Sequence, residues 1–157
     1  MSRTTPRSFY LEFVQPNYQD YLQSPENVRR GINACVSAFQ LADIMYAFYK
    51  QNDPSKLTEW NSKQDFLINL RRREPLFATV QSVATAYKHL YPTASHYVID
   101  SPGDLFGLEL PKDGPDLSSD TGTDVFVKQR DGSRVSLKNA LEAVVNKLWP
   151  SVLPSES

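Results

Sequence analysis

A chain of 157 residues with 40% hydrophobic and 22% charged side chains has enough apolar material for one globular core and too little length for two ordinary domains. Seventeen basic against eighteen acidic residues leave a formal net charge of -1, which excludes a global positive field drawing the chain to nucleic acid or acidic lipid, so any such binding must be local. The single cysteine, Cys35, excludes an intramolecular disulfide and a cysteine-only zinc site, in keeping with a reducing compartment.

The expected organisation is one domain over 1–157: a helical bundle over 8–92, an acidic Gly/Pro-rich loop region over 93–124, and a β-hairpin plus C-terminal helix over 125–150. Phe9–Val14, broken by Glu12 and followed by Pro16, is too short for a secretory apolar segment. No apolar run approaches the ~20 residues that cross a bilayer. A cytoplasmic protein with no membrane partner is therefore expected.

Phe9, Phe13 and Val14, then Tyr18, Tyr21 and Leu22, predict a first helical segment packed by aromatics and interrupted at Pro16. Ser24-Pro25-Glu26 reads as a helix start, with Ser24 as the cap. Val28, Ile32, Cys35, Val36, Phe39, Ala42, Tyr46 and Tyr49 recur at intervals of three and four, the spacing of one buried helical face. Ala34, Ala38, Leu41, Met45 and Phe48 widen the apolar surface and leave a narrow polar stripe of Asn33, Ser37, Gln40 and Asp43. That makes this helix central, and Asn52-Asp53-Pro54 ends it.

A second helix is predicted from about Ser62, burying Phe66, Leu67 and Leu70 and closing on Arg71-Arg72-Arg73, whose charge suits a helix C-terminus. Another opens at Glu74-Pro75 and carries Leu76, Val80, Val83, Ala84, Tyr87 and Leu90 to Tyr91-Pro92. Between Asp100 and Asp124 seven carboxylates face Lys112 alone, and five of the six glycines lie between Gly103 and Gly132, a loop composition. Arg130-Asp131-Gly132-Ser133 between Val125-Phe126-Val127 and Arg134-Val135-Ser136-Leu137 signals a β-hairpin, to which His96-Tyr97-Val98-Ile99 would add a third strand. A last helix capped by Ser136 places Leu137, Leu141, Val144, Val145 and Leu148 on one face and ends at Trp149-Pro150. The fold class is thus mainly α: an antiparallel bundle of four to five helices with a small C-terminal hairpin or three-stranded sheet and a final helix.

Ala84-Thr85-Ala86-Tyr87-Lys88-His89-Leu90, with Asn33-Ala34 and Leu41-Ala42-Asp43, resembles the pattern of a group of bacterial and phage-associated proteins that are similar to the HEPN superfamily of helical bundles. The resemblance covers roughly Phe9 to Pro92. It implies a helical bundle working in a mobile-element or defence setting. The ribonucleases of that superfamily carry an arginine four to six residues before a histidine on one helix, where histidine moves a proton and arginine meets the developing negative charge. This chain departs from that pattern, because Ser82, Val83 and Ala84 stand where the arginine would precede His89. His89, Leu90 and Tyr91 stand in the same relation to His96. A catalytic role for His89 would need Arg72 or one of its neighbours to reach it from elsewhere in the fold.

Each remaining candidate has two readings. Lys88 and His89 either bind a phosphate or satisfy helix-end carbonyls. Asn33 and Asp43 either meet His89 in a hydrogen-bonded network or form a solvated stripe. Arg71, Arg72 and Arg73 either contact phosphate backbones or are a solvated helix end. The carboxylates Asp113, Asp116, Asp120 and Asp124 lack the ordered spacing and central glycine of a calcium loop, and the two histidines lack zinc spacing, so no metal or cofactor is expected. The expected function is a non-catalytic, HEPN-like bundle acting through association, as a homodimer or with a protein or RNA partner. A divergent metal-independent ribonuclease using His89 and Arg72 is the alternative. A small-ligand domain with a pocket lined by Tyr87, Tyr91 and the Asp43 stripe is a third.

Overall fold

The computed structural model describes residues 4–88, 98 and 125–154. Within them the protein is a helical bundle with one small antiparallel sheet and a final helix, the expected class. The elements are α1 (Pro6–Phe9), α2 (Gln15–Leu22), α3 (Val28–Asn52), α4 (Lys63–Arg73), α5 (Phe77–Lys88), β1 (Phe126–Lys128), β2 (Arg134–Ser136), α6 (Leu137–Glu142) and α7 (Trp149–Val152).

The first helix does not stop at Pro16. α1 and α2 are joined by a wider π-helical turn over Tyr10–Val14, and the Gln15 amide reaches back five residues to the Tyr10 carbonyl. An α-helix cannot keep its ladder unchanged across proline, which lacks the N–H and crowds the preceding turn; one extra residue in the turn gives the ring room, while the missing donor still has to be made good elsewhere. The C-terminal helix repeats the device. It runs on past Trp149-Pro150, because the π-helical turn Ala143–Leu148 joins α6 to α7 and the Trp149 amide bonds to the Val144 carbonyl.

α3 is central, packed against α2, α4, α5 and α6. Its cap is Asn27, whose side chain accepts from the Arg30 amide at 3.1 Å; Ser24 instead sits in a turn, its carbonyl taken by the Asn27 amide at 2.9 Å. The fully buried strip is Ala34, Cys35, Ala38, Leu41, Ala42 and Met45, with Val36, Phe39 and Tyr46 only partly buried, so the core faces the smaller residues. Small side chains let neighbours come close. Gly31 is the extreme case, since a Cβ there would lie 2.7 Å from Leu137 Cδ2 and 3.4 Å from Tyr21 Cε2. Phe77 bridges Phe39 and Trp149, edge-on to the indole at 5.8 Å and 84°. Trp149 is wholly buried and donates its indole N–H to the Ala38 carbonyl at 3.0 Å.

α4 begins where the sequence places it, and Ser62 caps it by accepting the Asp65 amide at 3.2 Å. α5 starts at Phe77 rather than at Glu74-Pro75: Glu74, extended before proline, uses its carboxylate to accept the Leu76 amide at 2.9 Å, closing a turn first. The hairpin pairs Phe126 with Ser136, Val127 with Val135 and Lys128 with Arg134. Its turn needs Gly132, whose φ of 87° is left-handed. Asp131 accepts from the Ser133 hydroxyl and amide, which holds its carboxyl below the usual range. Ser136 ends β2 and also caps α6 through the Asn139 amide at 3.2 Å. Of the expected third strand, only Val98 lies inside the described residues; its carbonyl accepts from the Arg130 amide at 2.7 Å.

Candidate functional site

The residues singled out in the sequence fall into three groups. His89, Tyr91, His96 and the acidic stretch 100–124 lie outside the described residues, and Tyr87 and Lys88 close α5. Asn33 and Asp43 share α3, but ten residues at ~1.5 Å each separate them by roughly 15 Å along its axis, so they do not form one site. Asp43 pairs with Lys63 at 3.0 Å, with both side chains about half exposed. Of the same stripe, Ser37 is buried and donates to the Ala34 carbonyl at 3.1 Å.

The arginines do not act as one cluster. Consecutive residues on a helix point about 100° apart. Arg71 turns towards α5 and donates to Gln81 Oε1 at 2.7 Å, and Arg73 Nε donates to Asn69 Oδ1 at 3.0 Å, while Arg72 is exposed. Arg71 and Arg73 are thus tied to different neighbourhoods.

Asn33 finds companions that the sequence pattern assigned to the core. In the N-terminal helix the buried stripe is Pro6, Tyr10, Val14, Tyr18 and Tyr21, which leaves Phe9, Phe13 and Asn17 on the adjoining line. With Asn33, Val36, Ser37 and Gln40 of α3 they line a shallow groove of about 300 Å³. Phe9 and Phe13 stack at 5.0 Å and 29°. Phe13 is 49% exposed and nearby Leu11 52%, the large apolar side chains that stand out from the surface among the described residues. The π-helical turn carries both, and such turns are frequent at functional positions because they re-aim side chains without breaking the helix. Every lining residue is neutral: aromatic rings and a valine floor, edged by three amides and a hydroxyl.

A buried polar seam on α5 escaped the sequence reading. Thr79, Gln81, Ser82 and Thr85 are all buried. Thr79 Oγ1 accepts from Gln129 Nε2 at 2.9 Å; Ser82 Oγ donates to the Ala78 carbonyl at 2.7 Å and accepts from the Val98 amide at 3.0 Å. The signal was present as polar residues at 79, 82 and 85, one helical line on an otherwise apolar segment. These bonds satisfy groups that burial would otherwise penalise, and they fasten the hairpin turn to α5.

Burial pushes the Cys35 thiol far above its ordinary value, so it is inert as a nucleophile. Burial also raises Tyr18, with Glu142 nearby adding to it and a hydrogen bond to Asn146 opposing. Among the described residues no three His, Cys, Asp or Glu side chains gather at metal-binding distance, and no helix is long and apolar enough to cross a membrane. No family model, curated protein or solved structure matches the chain.

Proposed function

We propose that this is a non-catalytic, HEPN-like helical-bundle protein that works by association, with a second copy of itself as the partner, in the mobile-element or defence setting that the sequence resemblance implies. One observation carries the reading: Phe13, half exposed and stacked on Phe9, beside a neutral groove containing Asn33. Exposed aromatic surface rimmed by polar groups is the composition of protein–protein interfaces. RNA contact requires cations against phosphate, and this groove lines up none. Amides donate and accept equally well, so two copies of the groove meeting across a two-fold axis satisfy one another without a charge clash.

Size-exclusion chromatography with light scattering tests it. A dimer is expected at micromolar concentrations, falling to monomer in the Phe13→Asp variant. A wild-type protein that stays monomeric throughout that range overturns the reading.

A further inference from the structure

A second cavity opens at the opposite end of α3, where its last turns meet the 3-10 turn Pro54–Leu57, α4 and α7. Its volume is about 330 Å³, within the range of small-molecule sites. The floor is apolar and buried: Met45, Phe66 and Leu70 are each at most 2% exposed. One wall is the indole of Trp60, only partly buried, set 4.9 Å from the Phe66 ring at 60°. The Trp60 amide bonds to the Leu57 carbonyl at 3.0 Å, so the 3-10 turn fixes the wall in place.

Two cations stand at the rim, Lys56 and Arg73. Arg73 is steered by its Nε bond to Asn69 Oδ1, which leaves the two terminal nitrogens of the guanidinium for another acceptor. The ion pairs seen among the described residues involve neither cation. Glu59 also borders the cavity, so the rim carries one net positive charge.

We propose that this cavity binds a flat aromatic carboxylate, with the ring system against Trp60 and over the Met45–Leu70 floor and the carboxylate on Arg73 and Lys56. Aromatic slots favour planar apolar bodies, and a guanidinium fork matches a carboxylate in two parallel hydrogen bonds. The site is independent of the Phe9–Phe13 groove, which draws on the other end of α3.

Isothermal titration calorimetry with naphthalene-2-carboxylate and the neutral naphthalene-2-methanol tests the proposal on the full chain. Saturable binding at one site per chain is expected for the acid, with the alcohol about tenfold weaker, the loss of roughly one charge-assisted contact. The Lys56→Gln/Arg73→Gln double variant, altered only at exposed positions, is expected to bind acid and alcohol alike. Trp60→Leu is expected to weaken both ligands, and Phe13→Asp neither. Equal affinity of the wild type for acid and alcohol overturns the proposal. So does a double variant that still prefers the acid, or absence of saturable binding at roughly millimolar ligand.

Discussion

The N-terminal and C-terminal helices solve the same problem and use the solution differently. Each meets a proline in mid-course, Pro16 or Pro150, and each passes it through a π-helical turn. In the C-terminal helix most of the turn is buried, with Asn146 and Lys147 as its exposed residues. Pro150 deprives the Val145 carbonyl of the donor that a continuing ladder of i→i+5 bonds would supply, and the Tyr10 hydroxyl takes that carbonyl at 2.8 Å instead. Two residues of the same stretch, Val144 and Val145, are wholly inaccessible, as is Trp149. In the N-terminal helix, Tyr10 and Val14 face the core while Leu11, Glu12 and Phe13 face out. One turn therefore locks the core and the other displays an apolar surface, and burial alone separates the two roles. Tyr10 belongs to the exposed turn and repairs the buried one, so the two are mechanically joined.

Substitutions can break that contrast. Trp149→Ala removes the largest fully buried side chain and its bond to Ala38, with an expected loss of about 3–5 kcal/mol in urea unfolding. A loss under about 1 kcal/mol there would mean that the C-terminal turn is no anchor. Tyr10→Phe keeps the ring and leaves the Val145 carbonyl buried without a partner; the expected cost is about 1–3 kcal/mol, read by the same unfolding curves.

Alkaline pH probes the core that the two helices share with α3. Tyr18 and Cys35 both hold their protons more tightly folded than unfolded. The stabilisation is thus fully present below the unfolded values and drains away as the unfolded chain ionises, from about pH 8.5 upward for the thiol and from about pH 10 for the phenol. Each group steepens the decline by up to ~1.4 kcal/mol per pH unit, and Cys35→Ala is expected to remove the earlier part of it in a pH series of melts. The smallest effect on stability belongs to the displayed turn. Phe13→Asp is expected to change the unfolding free energy of the monomer by less than about 0.5 kcal/mol while abolishing the proposed dimer in light scattering. Destabilisation as large as that of Tyr10→Phe would instead make Phe13 a core residue and erase the distinction.

Much of the candidate groove was half visible in the sequence. Asn33 stood out as a polar residue on an apolar helix, but Phe9 and Phe13 were counted with the core because periodicity reports that a residue is apolar and not which way a widened turn aims it. The cavity beside Trp60 was not visible at all, since the connection that carries Lys56 and Trp60 meets Arg73 at the end of α4 and Met45 in α3 only through packing. Asp43 illustrates the reverse case: its partner, Lys63, lies on the next helix, and an ion pair at the surface leaves no pattern in a single chain.

Local chemistry determined α3 to α6 and the hairpin. Ser62 and Ser136 cap their helices, Asp53-Pro54 stops α3 and Asp131-Gly132 turns the strands, because each rests on hydrogen bonds and backbone preferences spanning a few residues. The passage of two helices through Pro16 and Pro150, and the choice of the Ala34–Ala38–Met45 strip as the innermost face of α3, were decided by tertiary structure. The donor that makes the second passage tolerable is 135 residues away in sequence, and the glycine that lets α3 meet α6 answers to a leucine more than a hundred residues on. A chain read in short windows carries no trace of either distance.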